Sequence, residues 1–514
     1  MKPIRLMKGF LTVGFWTLAS RILGFVREMM ILAFIGPGPF MDAFVAAFRL
    51  PNMFRRFFAE GAFNAAFVPM FSKRLEGDEN PQGFANDAFN GLAFVVLILT
   101  GVAMIFMPAF VWATAEGFAG DDRFDLTVGY GRIVFPYILF MSLSALFSGI
   151  LNASGRFAAA AAAPVLLNIL VIPAMAIGAF VEGEVILWLI WTIPVAGIAQ
   201  LVLVWTAAHR AGIRIRPGRP RWTPEMKHLV IVALPAALSS GVMQINLLVG
   251  QQVASQFDKA VSWLFAADRL YQLPLGVVGI AVGIVLLPDL SRRLRDRDDD
   301  GARNAFSRAG EICLALTIPS AVALVVIPLP LVSVLFERGN HTADDSAAIA
   351  FAVAIYGLGL PAFVLQKVLQ PLFFSREDTR RPFHYALVAM VVNAVIAIGL
   401  FPTIGWIAPA FATTIAGWAM VALLALGARQ YGAVARFDAR FHRRLWRILA
   451  ASLVMGAVLW ALNLLLIGLL GLPGWRYLGF LILIAGGMIS YFLTGQALGA
   501  FALHEFKSAL RRGG

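Results

Sequence analysis

Charge is scarce in this chain, and acid scarcer than base: 29 Asp and Glu stand against 42 Lys and Arg, and charged residues make up 14% of 514. Soluble domains carry roughly 25% charged residues, so a water-facing globular surface is excluded. The single cysteine, Cys313, can form no internal disulfide and reads as core packing. The six histidines (His209, His228, His341, His384, His442 and His504) fall near loops without metal-ligand spacing, and no phosphate-binding glycine loop is present. These absences exclude an ATP-driven pump and leave a membrane enzyme without an acid, base or metal cluster. The expectation is a protein that is not an enzyme and needs no cofactor.

What fills the chain instead is apolar: 60% of residues are hydrophobic, and the mean hydropathy is +0.80. Charge-free runs cover residues 88–115, 157–181, 185–208, 229–257, 312–336, 382–428, 448–475 and 477–503. A helical span needs about 20 such residues, and 382–428 is long enough for two spans joined near Pro402. With the charge-bearing stretches near 9–35, 40–72, 126–152, 260–290 and 346–374, the chain reads as an all-α integral membrane protein of about fourteen helices. Basic and acidic loops alternate along it. Lys73 with Arg74, Arg156, the run from Arg210 to Lys227, and Arg429 to Arg447 fall on one side, and Glu116 to Asp125, Glu182 to Glu184 and Glu337 to Asp345 on the other. By the positive-inside rule the basic side, with both termini, is cytoplasmic. The N-terminal segment reads as a retained first helix, because Arg21 and Arg27 break its apolar run. The net charge of +13 is thus topological. Its partner is anionic phospholipid, and nucleic acid is not expected.

The chain also repeats itself. Pro69, Ser72, Lys73, Arg74 and Leu75 recur as Pro288, Ser291, Arg292, Arg293 and Leu294; Ala46, Ala47, Arg49 and Leu50 recur as Ala266, Ala267, Arg269 and Leu270; Pro108 recurs as Pro328. Further on, Pro136 and Asn168 match Pro361 and Asn393. The series is collinear and implies two parallel lobes of six helices, residues 1–210 and 227–430, a basic linker at 211–226, and two appended helices in 431–514. Parallel repeats are a transporter architecture, with substrate held between the halves.

Arginines stand where lipid tolerates them least. Each costs about 2.5–3.5 kcal/mol at the centre of a span, so several imply a wet interior that receives an anion. Arg21 and Glu28 share a face of the first helix, with Arg27 about 120° round and Gly24 between them leaving room for close approach. Asp42, Arg49, Arg55 and Arg56 follow in the second stretch, where Pro51 beside Asn52 is expected to break or kink the helix. Asp268 and Arg269 repeat the pattern in the second half. A bland alternative stays open: Arg27 and Glu28 pair only to seal a helix contact, and Arg56 reaches to headgroups.

These residues carry a family resemblance. Ser20-Arg21 through Gly24 to Arg27-Glu28, the Asp42-Ala43-Phe44 triplet, Arg49 through Asn52 to Arg55, Arg56, Glu60 and Gly61, Ala267 to Leu270, and Ser375-Arg376 with Asp378-Thr379 resemble the MurJ (MviN) family, bacterial flippases for the peptidoglycan precursor lipid II. The resemblance runs from the first helix to the tail. It implies a two-lobed, fourteen-helix alternating-access fold in the bacterial inner membrane, with a cationic central cavity and an apolar groove by the last two helices for the lipid tail. It implies that Arg21, Arg27, Arg55 and Arg269 form the essential cationic set with the first-helix acid, here Glu28 where the family often has Asp. It also brings in a coupling ion or the membrane potential, and cell-wall synthesis proteins as partners. The polar candidates for a sodium site, Asn246, Asn393 and Thr414, include no carboxylate, so no metal site is assigned. The rival readings are a flippase for another polyprenyl-linked saccharide and a cation-coupled multidrug exporter of the same fold.

Overall fold

The structure is a computed structural model that describes residues 3–55, 62–77, 79–181, 184–281, 286–472 and 474–501. Among the described residues it is helical, with no strand. The first copy of the repeat comprises α1 (Pro3–Phe34), α2 (Pro39–Arg55), α3 (Ala62–Gly77), α4 (Pro81–Ile105), α5 (Met107–Thr114), α6 (Asp122–Val134), α7 (Tyr137–Ala153), α8 (Phe157–Phe180) and α9 (Val185–Arg210). The second comprises α10 (Pro224–Ser255), α11 (Ala260–Ala281), α12 (Leu287–Arg295), α13 (Asp299–Val326), α14 (Pro328–Phe336), α15 (Ala343–Phe374), α16 (Arg380–Ile404) and α17 (Ala408–Ala428). The appended helices are α18 (Ala439–Leu465), α19 (Ile467–Leu470) and α20 (Trp475–Ala497). Nine helical stretches among the described residues are long and apolar enough to cross a membrane.

Some prolines matched in sequence fall at similar helix breaks and others do not. Pro108 opens α5 after a non-helical Phe106, and its repeat equivalent Pro328 opens α14 after a non-helical Ile327. Pro136 divides α6 from α7, whereas its equivalent Pro361 lies inside the unbroken α15. The two spans within 382–428 join where expected, near Pro402: α16 ends at Ile404 and the turn falls at Gly405–Ile407, where Gly405 adopts φ +67°. One expectation needs correction: α2 is not broken at Pro51 but stays helical to Arg55, with the Asn52 amide donating to the Phe48 carbonyl at 3.1 Å. Membrane helices tolerate proline in their interior, because packing against neighbouring elements can make good the one backbone bond it removes.

The chain divides into two compact units, residues 1–262 with 338–341, and residues 263–337 with 342–514. In the first unit, Phe63, Phe67 and Phe71 stack at four-residue spacing along α3, and Phe84 of α4 stacks on Phe67, with successive centroids 5.4–5.5 Å apart. Each such pair adds about 0.5–1.5 kcal/mol to its area burial. The second copy's first helix, α10, packs on α3 and belongs to this unit.

In the second unit the appended helices are fastened to α13. Buried Glu311 of α13 receives Arg308, Arg444 at 3.3 Å and Arg440 at 3.7 Å, and Arg308 also reaches Asp438, the N-cap of α18. Phe437 stacks between Phe306 and Phe441, and the Tyr491 hydroxyl of α20 donates to the Ala315 carbonyl at 2.6 Å. Cys313 is buried in the same helix.

Candidate functional site

In the first unit, α1 runs against α8, and its cations are held unequally. Arg27 donates to Glu28 at 2.8 Å and, through its other terminal nitrogen, to the Asn168 side-chain oxygen of α8 at 2.9 Å. Asn168 in turn donates to the Ser20 carbonyl at 3.2 Å, which fixes its amide. Gly24 faces this contact, and a Cβ there would lie 3.9 Å from the Asn168 nitrogen, an ordinary van der Waals distance. The guanidinium of Arg27 is thus aimed by two partners. Arg21 is exposed and has no hydrogen-bonding or ionic partner among the described residues. One cation is positioned and the other is available.

On α2, Arg49 donates to the Leu247 carbonyl of α10 at 3.4 Å, and Arg55 donates through Nε to Asn52 at 3.2 Å. Arg56, Glu60 and Gly61 lie outside the described residues, as does the side chain of Asn246.

Asp42 is brought to different company. It is fully buried, accepts from the backbone N–H of Ser262 at 2.8 Å and from the Ser262 hydroxyl, and lies 3.5 Å from the Arg123 guanidinium. The Ser262 N–H is one of the unpaired donors in the first turn of α11, so the carboxylate caps that helix. Arg123 also pairs with Asp121 at 2.6 Å and Asp258 at 3.2 Å, donates to the Phe257 carbonyl at 3.1 Å, and stacks over Phe118. The turn between α10 and α11 is thereby tied to α2 and α6. Asp42 and Ser262 stand at the same place in the two copies of the repeat, so duplication has produced an acid and its donor.

In the second unit, Arg269 lies over the Phe265 ring at 4.4 Å, and Asp268 accepts from Gln272. Asn393 donates to the Thr413 hydroxyl at 3.3 Å, and Thr414 donates to the Ile355 carbonyl at 3.0 Å. Among the described residues no group of three His, Cys, Asp or Glu could hold a metal ion. Between α13 and α18 runs an apolar groove of about 470 Å³ lined by Val322, Val325, Val326, Leu453, Gly456 and Trp460, beside Ala457.

Sequence reasoning singled out neither Asn168 nor Arg123 as site residues. For Asn168 a signal was present: it is the polar residue of an otherwise apolar helix and recurs as Asn393. For Arg123 the only signal was a basic residue in an otherwise acidic connection.

The family model described as lipid II flippase MurJ matches residues 31–485. A Rhizobium tropici protein named "Probable lipid II flippase MurJ" is 43% identical over 99% of this chain and 97% of its own length. A Burkholderia cenocepacia protein named "Lipid II flippase MurJ" is 33% identical over 84% of this chain and 85% of its own. A solved lipid II flippase MurJ in an inward closed conformation superimposes with a TM-score of 0.79 at 24% identity, covering 95% of this chain and 98% of that one. An inward-facing multidrug MATE transporter follows at 0.68 and 17% identity, covering 81% and 95%. At those identities the structural matches establish the fold alone. The sequence matches go further: this chain belongs to the MurJ lipid II flippase family.

Proposed function

We propose that the protein moves lipid II from the inner to the outer leaflet of the bacterial cytoplasmic membrane by alternating access, with both termini cytoplasmic. The observation that carries this reading is the pairing of a positioned arginine, Arg27 held by Glu28 and Asn168, with an available one, Arg21, on the same helix. Guanidinium stays charged at all working pH values, and its fork binds two oxygens of a pyrophosphate at once. Arg49 and Arg55 of the first unit and Arg269 of the second complete the cationic set that engages the headgroup. Asp268 and Asp42 serve in the same machinery, Asp42 by holding the α10–α11 turn. The apolar groove between α13 and α18 suits a polyprenyl tail, which needs contact area and no hydrogen bonds. An inside-negative potential favours outward movement of the anionic headgroup by about 2.3 kcal/mol per charge per 100 mV.

Growth rescue after depletion of a cell's own lipid II flippase tests the reading. Arg27→Ala and Arg269→Ala should each abolish rescue while inserting normally, and lysine at either position should restore it in part, because charge remains and the fork is lost. Full rescue by the double alanine variant would overturn the assignment of these cations.

A further inference from the structure

A second cationic feature of the first unit lies apart from these arginines. The segment joining α9 to α10 carries Arg214, Arg216, Arg219 and Arg221, and it does not hang free. It runs extended along α4. The Arg214 N–H donates to the Gln82 side chain at 3.1 Å and its carbonyl accepts from the Gln82 amide; the Arg216 N–H donates to Asn86 at 3.0 Å; the Gly218 N–H donates to Asn90 at 2.8 Å. Gln82, Asn86 and Asn90 are four residues apart on a helix, a rise of about 6 Å, and the backbone groups they meet are two apart on an extended chain, a rise of about 6.6 Å. The two periods match, so three amides hold the segment in one register. Between two of those rungs Ile215 is buried in the core of the unit.

This fastening has a consequence for the arginines. With α3 and the start of α10, the segment walls a cleft of about 560 Å³ whose charged lining is Arg74, Arg216, Arg219 and Arg221 against Asp87 and Glu225. Arg74 is 3.7 Å from Glu225, so the remaining excess is positive and borne by the segment itself. A phosphate diester with its glycerol fits that volume, and guanidinium forks match phosphate oxygens. Beside Arg221, Trp222 is 73% exposed, the placement of an indole that lies at the headgroup level of a bilayer.

We propose that this cleft binds the phosphate of an anionic membrane-lipid headgroup, apart from the lipid II machinery. The experiment titrates the purified full-length protein with phosphatidylglycerol and, separately, phosphatidylcholine, and reads bound lipid by native mass spectrometry. Asn86→Ala with Asn90→Ala keeps every arginine but releases the segment; Arg219→Gln with Arg221→Gln keeps the segment but removes charge. Each pair should weaken phosphatidylglycerol binding by about tenfold or more, the loss of at least one charge-assisted contact. Lipid II binding and phosphatidylcholine binding should stay unchanged in both. Arg295→Gln with Arg297→Gln, on exposed arginines of the second unit, should have no effect. Equal weakening in that control, or none with the asparagine pair in a protein of unchanged melting temperature, would overturn the built site in favour of diffuse surface charge. If the asparagine pair unfolds the protein, the exposed arginine pair against its control decides. Inorganic phosphate displacing the lipid at comparable concentration would overturn the lipid assignment.

Discussion

Asn168 and Asn393 occupy the same place in the two copies of the repeat, both almost fully buried, and they do different work. In the first unit the amide of Asn168 holds the Arg27 guanidinium; in the second, Asn393 donates to the Thr413 hydroxyl. The helix equivalent to α1 is α10, and over the stretch matching Arg27 it offers Leu247 and Leu248. A buried polar position inherited by both copies has been given a charge to hold in one of them. The same divergence separates Phe48 from Asp268, each just before the arginine shared by α2 and α11, and Asp42 from Ser262, which now bond to each other. Duplication supplies the scaffold, and the chemistry is asymmetric.

The largest effect should come from breaking the pair that divergence created. Asp42→Ala leaves Arg123 without a buried counter-charge and the Ser262 N–H without its acceptor. Loss of one partner of a buried pair costs about 3–5 kcal/mol, so the purified protein should melt well below the parent. Ser262→Ala, which keeps the backbone donor, should cost far less. A melting temperature unchanged in Asp42→Ala would remove the latch from the account.

The asparagines themselves give the next effect. Asn168→Ala removes a hydrogen bond to a charged group, about 1.5–3 kcal/mol, and should lower lipid II transport roughly tenfold or more if Arg27 must be aimed. Asn393→Ala removes a neutral bond and should leave transport within about threefold. Equal losses in the two variants would erase the distinction between the copies.

A smaller effect concerns the second unit's appended helices. Burial alone would raise the Asp438 carboxyl, but the Phe441 N–H and the Arg308 guanidinium outweigh it and hold it below the usual carboxylate value of 3.8. A lowered folded-state value means that its stabilisation is complete above about pH 4 and fades as pH falls through the lowered value. Asp438→Asn keeps the helix cap and loses the charge, so it should flatten that acid limb and change stability little below it. Denaturation curves between pH 2 and 6 check this, and an acid limb unchanged in Asp438→Asn would assign it to another group.

The helices were legible in the sequence because lipid demands apolar runs of a set length, and Pro108 and Pro328, matched in sequence, each open a helix. Proline was an uneven guide to where helices stop. Pro51 lies inside an unbroken helix, whereas the helix holding Pro402 ends two residues later, and Gly405, free to take a positive φ, makes the turn. The Arg27–Glu28 contact was readable from adjacency. Its second partner was not, because Asn168 is 141 residues away and only packing of α1 on α8 brings it close. Likewise Arg123 read as a loop charge, since nothing local announces that its partner is buried Asp42.

In the proposed mechanism lipid II crosses the bilayer on an arginine that α1 aims and α8 holds. Proteoliposomes containing lipid II confined to one leaflet test it most directly, by following its arrival in the other leaflet with a headgroup-reactive enzyme. The account predicts arrival with the parent protein and with Asn393→Ala, slow arrival with Asn168→Ala, and none above empty liposomes with Arg27→Ala. Arrival at the parental rate with Arg27→Ala would contradict it.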